Sequence, residues 1–348
     1  MRIFIALALA LFCAKSFAAA PAKVLSESER PVYINAKRAD FLAAKLESDL
    51  RRAGAKGGAL CIVADGKIIL AKDFFVGAEI PQNQKAYPLG QSSMPLLSLA
   101  ALNMESGGVL KADAPISNYC SIFRVSDGGK VSLADLLSMK AGFDAHADSL
   151  VPDDSSANDV FDVAAQLSRA APSDVERSKL QAALAGYVMA YAHSKKDSGL
   201  KKTFASGMDS FLFKPLGMDG IRYRGFDKPL FPAFAFALTI GDCAKWLEAE
   251  LSARPAILSK ELIAKRRNSD SVCEKFSGGW LSSNGPAGAF LMSGDRFENT
   301  ANIVALFPDK SLGIAVFAVS DDSRAAPEIC AGVLSEFMQL VAEPLNLK

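Results

Sequence analysis

Residues 301–320, ANIVALFPDKSLGIAVFAVS, contain two apolar runs of strand length on either side of the turn-forming residues Pro308 to Ser311. Short runs rich in Val, Ile and Phe that are bounded by Pro, Asp and Ser are typical of β-strands. Two further runs, GGWLSS at 278–283 and GAFLMSG at 288–294, precede them. The C-terminal part of the chain therefore predicts four short strands connected by turns.

A second strand-forming region lies near the N-terminus. In residues 58–74, GALCIVADGKIILAKDF, two β-type runs are joined by Asp65-Gly66, a dipeptide that favours a hairpin. On one side of this region, residues 36–54 carry apolar residues at helical spacing, and Gly54 ends the pattern. At the far end of the chain, residues 325–341 predict a terminal helix.

Residues 111–225 have few β-branched runs and read mainly as helices and loops. The order is therefore helix, hairpin, helical segment, late strands and helix. Strands and helices are thus grouped separately along the chain and do not alternate as βαβ units. This grouping predicts an α+β fold, that is, a layered α/β sandwich. We expect an antiparallel sheet domain from residues 37–110 plus 226–348, flanked by the terminal helices, with an all-helical domain inserted at 111–225.

The composition is that of an ordinary globular protein. The 348 residues include 39 Lys and Arg against 38 Asp and Glu, a net charge of +1, so nothing indicates a nucleic-acid partner. Residues 1–20 have a basic start, an apolar run and small residues at the end, the pattern of a secretory signal peptide. We therefore expect a periplasmic or secreted protein with no membrane span after signal cleavage, since no other segment reaches transmembrane length.

The cysteines and histidines do not form a metal-binding pattern. The chain has no Cys-x-x-Cys and only two histidines, so we predict no metal and no cofactor. Three cysteines lie in apolar patterns and are expected to be buried thiols; these are Cys61, Cys243 and Cys330. Cys120 and Cys273 lie in more polar surroundings and could pair in an oxidising compartment, which the sequence does not decide.

Six stretches, in this order, resemble the serine β-lactamase and penicillin-binding-protein superfamily, and within it the class C β-lactamases and esterase-like hydrolases. They span most of the chain from about residue 37 to 342. The stretches are DGKIILAKDFFVG (65–77), GGVLKADAPISNY (107–119), VSLADLLSMKAGF (131–143), FLFKPLGMDGIRY (211–223), ALTIGDCAKWL (237–247) and the opening stretch 301–320. The resemblance implies the same fold.

The catalytic motifs that the resemblance implies are missing. Such enzymes acylate a serine in Ser-x-x-Lys at a helix N-terminus, where the lysine can act as the base and backbone N–H groups stabilise the oxyanion. A Tyr-x-Asn and a Lys-Thr-Gly or His-x-Gly complete the site. The three positions read Gln91-Ser92-Ser93-Met94, Ala182-Ala183-Leu184 and Met292-Ser293-Gly294. We therefore predict no catalytic residues.

The remnant of this site is polar. If the fold holds, the lining residues are Gln91, Ser92, Ser93, Ser293 and Arg296. The helix N-terminus near Ser93 still offers N–H donors to a carboxylate. A helix-capping role for the two serines is the competing expectation.

Other catalytic arrangements have weaker support. The only literal Ser-x-x-Lys, Ser198 to Lys201, lies in a polar turn. His146 reads as a solvated loop residue, and His193 lies near a helix C-terminus, where a cation is favoured.

Three functional interpretations follow. The first is an exported, inactive pseudoenzyme that binds a peptidoglycan stem peptide or a protein partner in the cell envelope. The second is an active serine hydrolase, an esterase, peptidase or weak β-lactamase, that uses Ser92 or Ser93 with Lys140, His146 or another group as base. The third is a structural envelope protein, which predicts a filled cleft. The oligomeric state stays open.

Overall fold

The computed structural model describes residues 31–76, 85–120, 131–143, 145–167, 178–196, 198–252 and 276–345. The predicted signal peptide and Cys273 lie outside these residues. None of the helices in the described ranges is both long enough and apolar enough to cross a membrane.

The described residues include one large antiparallel sheet of seven strands. Its strands are β1 (Gly57–Ala64), β2 (Lys67–Phe75), β6 (Phe276–Ser277), β7 (Trp280–Gly285), β8 (Gly288–Phe297), β9 (Thr300–Phe307) and β10 (Leu312–Val319). Their order across the sheet is β2-β1-β10-β9-β8-β7-β6. The predicted N-terminal hairpin is β1–β2, and it pairs with the late strands through β1 and β10. The sheet thus unites the two regions in which the sequence predicts strands.

The stretch 301–320 lies at the centre of this sheet as β9 and β10. All eight positions of β9 are buried, because both faces of the sheet are covered. Alternate side chains point to opposite faces: Val304 belongs to the core on one side, and Ile303 to the core on the other. Two layers of helices are therefore needed to keep this strand out of water.

The two terminal helices cover one face. They are α1 (Ala36–Arg52) and α10 (Ala325–Leu340). Leu42, Leu46 and Leu50 of α1 pack with Phe337 of α10 against the sheet. The predicted α+β layering, with an antiparallel sheet and terminal helices, is confirmed.

The other face packs against a core to which helices from the middle of the chain contribute. They are α2 (Met94–Ser106), α3 (Leu133–Leu137), α4 (Ala145–Asp148), α5 (Ala157–Gln166), α6 (Lys179–Ser194), α7 (Leu200–Met208), α8 (Lys214–Leu216) and α9 (Ile240–Ser252). Of these, α9 contacts β1, β2 and β10 of the sheet. Thr239 caps α9, because its hydroxyl accepts a hydrogen bond from the Asp242 N–H at 3.1 Å. The division into a sheet domain and an inserted helical domain stays a prediction.

A small second sheet, absent from the sequence prediction, lies between these helices. Its order is β3 (Tyr87–Pro88), β5 (Phe236–Leu238) and β4 (Arg222–Tyr223). Strands of two or three residues are too short to show a periodic pattern. The sheet matters for the site because β3 runs directly into the stretch that begins at Gly90.

Tyr87 anchors β3 to the large sheet. Its hydroxyl lies 3.1 Å from the Gly58 carbonyl oxygen and 2.9 Å from Oδ1 of Asp73. One hydroxyl proton cannot serve both acceptors fully, so a proton retained on Asp73 improves the arrangement. Burial raises the pKa of the Asp73 carboxyl, and this effect outweighs the hydrogen bond from Tyr87 and the charge of Lys85.

Replacement of Asp73 by Asn should therefore become more favourable as the pH rises. A carboxyl whose pKa is raised on folding stabilises the protein fully below its ordinary pKa, and this stabilisation is lost as the pH rises through the folded value. We expect the stability of Asp73→Asn relative to wild type to increase from pH 4 to pH 8 in urea denaturation.

Asp321→Asn is the control of opposite sign. The hydrogen bond from Lys56 lowers the pKa of Asp321, so this variant should lose stability relative to wild type as the pH rises. The interpretation of Asp73 is contradicted if both variants drift in the same direction.

Candidate functional site

The candidate site is the turn that leads from β3 into α2. Gly90 has a φ of +59°, which turns the chain, and Gly90–Ser93 form one 3₁₀ turn before α2 begins at Met94. The turn is held at its start, because the Asn302 amide donates to the carbonyl oxygens of Pro88 and Leu89, each at 3.1 Å. Sheet strand β9 thus fixes where the N-terminus of α2 lies.

A carboxylate from the neighbouring strand faces this turn. Oδ2 of Asp295, on β8, accepts a hydrogen bond of 2.7 Å from the Gln91 N–H. The helix dipole and the negative charge both strengthen such a bond. A Cβ at Gly90 would overlap the Asp295 carboxylate, so glycine is needed here both for its φ and for the close approach.

Aromatic side chains and a glycine turn cover the rest of the site. The rings of Phe297 and Phe234 are stacked with centroids 5.4 Å apart, and a Cβ at Gly90 would lie 3.2 Å from that of Phe297. On the other side, Gly279 has a φ of +83° and lies so close to Met94 and Pro95 that any side chain would overlap their backbone. The N-terminus of α2 is therefore enclosed.

Four of the five predicted site residues meet in this enclosed region. Gln91 and Ser293 are 2% and 1% exposed, and Ser92 and Ser93 are fully buried. Arg296 is exposed and lies elsewhere, because alternation along β8 places it on the opposite face from Ser293. Ligand contact by these residues stays a prediction.

Comparison with known proteins agrees with this geometry. Residues 42–331, well over half of the chain, match the family described as Beta-lactamase. The chain belongs to the β-lactamase family. The resemblance inferred from the sequence is thereby confirmed.

Among its relatives is PbpX of Bacillus subtilis (strain 168), which is named as a penicillin-binding protein. The two are 24% identical over 202 residues, which cover 56% of this chain and 48% of PbpX. The chain thus spans about half the length of the curated relative that it matches.

Several solved structures share the fold of this chain. SurE with D-Leu has a TM-score of 0.73 at 18% identity, and the match covers 87% of this chain and 76% of SurE. A class C β-lactamase from Rhodobacter sphaeroides has a TM-score of 0.67 at 17% identity, with 86% of this chain and 98% of that chain covered. An octameric penicillin-binding protein homologue from Pyrococcus abyssi has a TM-score of 0.66 at 17% identity, with 85% and 76% covered.

Within the family fold, the two serine hydroxyls lack the partners that catalysis requires. Neither Ser92 Oγ nor Ser93 Oγ has a hydrogen-bond partner in the part of the chain that the structure describes. A general base must come within about 3 Å of the nucleophile's oxygen to take its proton. The arrangement seen here therefore provides no activated nucleophile among the described residues.

The alternative expectation, that these serines cap α2, is wrong. Ser93 precedes the helix but makes no side-chain cap hydrogen bond. Its φ of −69° and ψ of −20° are already helical, whereas a capping residue needs an extended backbone to point its oxygen at the N–H groups. The preceding 3₁₀ turn is the cause.

The remaining catalytic positions hold residues with structural roles. Ala182 and Leu184 are fully buried in α6, at the positions of the missing Tyr-x-Asn. The preceding Gln181 accepts a hydrogen bond from the Ala141 N–H at 3.1 Å, and its amide donates to the Phe143 carbonyl oxygen. This amide fastens the loop before α4 to α6.

The structure describes both histidines and four of the six cysteines. His193 packs edge-on against Phe211 at 5.4 Å, and His146 is exposed. Within the described ranges, no three His, Cys, Asp or Glu residues come together as a metal site.

Cys61, Cys243 and Cys330 are buried thiols, as predicted, and burial raises the pKa of each. Cys120 is also buried, and its pairing with Cys273 stays open.

Sequence reasoning missed Asp295, the charged residue at the centre of the site. It directly follows the Met-Ser-Gly triplet, where the family motif assigns no role that would draw attention to it. The sequence does contain a signal for it. Asp295 lies two residues after Ser293, and a β-strand places such residues on the same face, here the face that points to the site.

Replacement of Gly90 by Ala should test the contact with Asp295. The left-handed φ costs an alanine about 1–2 kcal/mol, and displacing the carboxylate adds to this. We expect the loss of unfolding free energy to be smaller when Asp295→Gly is already present, because the overlap with the carboxylate is then gone and only the backbone cost and the close contact with Phe297 remain. Urea denaturation, followed by the fluorescence of the stacked Trp246 and Trp280, measures all four proteins of the cycle. Equal losses in both backgrounds would contradict the close approach.

Proposed function

We propose that this chain is an exported member of the β-lactamase family that forms no acyl-enzyme and acts by binding a protein partner in the cell envelope. Export rests on the signal-peptide pattern of residues 1–20. The family fold supplies a rigid scaffold whose former catalytic turn is buried. A buried turn leaves the outer surface of the protein for recognition.

The observation that carries this proposal is the hydrogen bond between the Gln91 N–H and Asp295. Acyl transfer needs a nucleophile, a base and N–H donors that are open to the developing oxyanion. Here the N–H at the position of the family's nucleophile is already bound to a carboxylate at 2.7 Å. The buried hydroxyls of Ser92 and Ser93 have no base within reach among the described residues. All three requirements are therefore unmet at once.

A peptidoglycan-type peptide is the second candidate ligand. It is favoured by the match to PbpX, a protein named for penicillin binding, and by the likeness to a structure of SurE that contains D-Leu. Such a peptide would have to displace Asp295 and the stacked rings of Phe234 and Phe297. The buried site therefore favours the protein partner.

An active hydrolase based on Ser92 or Ser93 remains the competing account, and covalent labelling separates the two. Incubation of the purified mature protein with a fluorescent penicillin, and separately with a fluorophosphonate, should leave its intact mass unchanged. A class C β-lactamase with the complete Ser-x-x-Lys motif serves as the positive control for both reagents.

The matched control variant is Ser92→Ala/Ser93→Ala, which removes both hydroxyls. An adduct on wild type that disappears in this variant would replace the proposal by the hydrolase. An unchanged mass in a protein shown to be folded supports the part of the proposal that says that no acyl-enzyme forms.

A further inference from the structure

Helix α9 lies against strand β1 and runs in the same general direction. Where both elements end, a Cβ at Gly66, in the turn after β1, would lie 3.0 Å from Cβ of Ser252 in the last turn of α9. One helical turn earlier, a Cβ at Gly313 of β10 would lie 3.5 Å from the Leu247 side chain, and Gly313 is paired with Val63 of β1. The alignment of the helix with the strand is therefore defined at two points.

The next position back along each element is a cysteine. Cys243 precedes Leu247 by four residues, about 6 Å along the same helix face. Cys61 precedes Val63 by two residues, about 7 Å along the same face of the strand. Both cysteines belong to the core between the sheet and the helices, and both are fully buried. Nearly equal steps from an aligned pair thus bring the two thiols to the same level.

Two further observations agree that the thiols are neighbours. Burial raises the pKa of the Cys243 thiol well above its ordinary value, and the interaction with Cys61 raises it further. The position paired with Cys61 on β10 is Ala315, and the preceding residue on its own face of β1 is Ala59, both fully buried. Side chains this small let a helix come close to a sheet, and the Cα atoms of a disulfide must lie within about 7 Å of each other.

Both cysteines are free thiols in the structure. We propose that they form a disulfide when the chain folds in an oxidising compartment, and that this bond joins α9 to β1. Each thiol loses one proton and one electron as the Sγ–Sγ bond forms, and the two electrons reduce a disulfide, of a thiol oxidoreductase or of oxidised glutathione, to two thiols. The inference goes beyond the proposed binding role and rests only on its export, which supplies the compartment.

The disulfide has to form while the chain is folding. The thiolate is the form that attacks a disulfide, and burial raises the pKa of both thiols in the folded protein. A reduced and already folded molecule therefore reacts slowly with an oxidant. For this reason the test starts from unfolded, reduced protein.

Peptide mapping tests the proposal directly. Wild type is refolded in a buffer of reduced and oxidised glutathione, its free thiols are blocked with N-ethylmaleimide in denaturant, and it is digested with trypsin without reductant. Trypsin releases Cys61 in residues 57–67 and Cys243 in residues 225–245, because the Lys228-Pro229 bond resists cleavage. We expect these two peptides joined, with a mass two hydrogen atoms below their sum. Protein refolded in excess dithiothreitol should give both peptides separately, each carrying the maleimide.

Cys330 is the matched internal control. It is also a fully buried thiol, but its Sγ faces the carbonyl oxygens of Ala301 and Val316 at 3.5 and 3.7 Å. Its peptide, residues 325–348, should carry the maleimide in both preparations. Maleimide on Cys61 and Cys243 after refolding in glutathione, or a bond from either of them to another cysteine, overturns the proposal.

Thermal unfolding gives a second readout. A bond between residues 61 and 243 restricts the unfolded chain, so protein refolded in glutathione should melt about 5 °C or more above protein refolded in dithiothreitol. The comparison is made with Cys120→Ala present, which removes the other candidate pairing. Cys61→Ala and Cys243→Ala should each abolish the difference, and Cys330→Ala should keep it. A difference that persists in Cys61→Ala, or that disappears in Cys330→Ala, contradicts the bond.

The two proposals fail separately. Free thiols at Cys61 and Cys243 after refolding in glutathione overturn this inference and leave the binding role intact. A penicillin adduct on wild type overturns the binding role and leaves the disulfide intact.

Discussion

The burial of β9 on both faces is the constraint on which the rest of the molecule depends. An eight-residue strand with every position buried requires a helical layer on each side. The terminal helices supply one layer, and the helices from the middle of the chain supply the other. The same strand places Asn302 against the segment that enters α2. The position of the site is therefore a consequence of how the sheet is covered.

The site is occupied by side chains of the protein itself, a carboxylate and two aromatic rings. Enzymes of this family use the N-terminus of this helix for acyl transfer. In this chain, the Gln91 N–H at that position instead donates a hydrogen bond to Asp295 of β8. Phe297 follows two residues later on the same face and stacks on Phe234. The turn that lacks the catalytic motifs is thus the same turn that Asp295 and Phe297 cover.

Most of the fold could be predicted from the sequence, because its strands are long and bounded by strong turn signals. Asp65-Gly66 and the turn after Phe307 define hairpins through local chemistry alone. The short strands β3, β4 and β5 could not be predicted, since their pairing depends on contacts between segments that are distant in sequence.

The site was less predictable than the fold. The absence of Ser-x-x-Lys is visible in the residues, but the burial of Gln91, Ser92 and Ser93 depends on segments that cover them from elsewhere in the chain. The capping prediction failed because a 3₁₀ turn precedes α2 and makes Ser93 helical. Arg296 was grouped with Ser293 by closeness in sequence, although a strand places residues three apart on opposite faces.

The central claim is that the Gln91 N–H is permanently bound to Asp295, and hydrogen exchange of that one amide tests it most directly. We predict that in wild type the Gln91 amide exchanges as slowly as amides of β9, and that Asp295→Asn makes it exchange faster while β9 is unchanged. A Gln91 amide that exchanges as fast as exposed loop amides, in a protein whose β9 amides stay protected, would contradict the account.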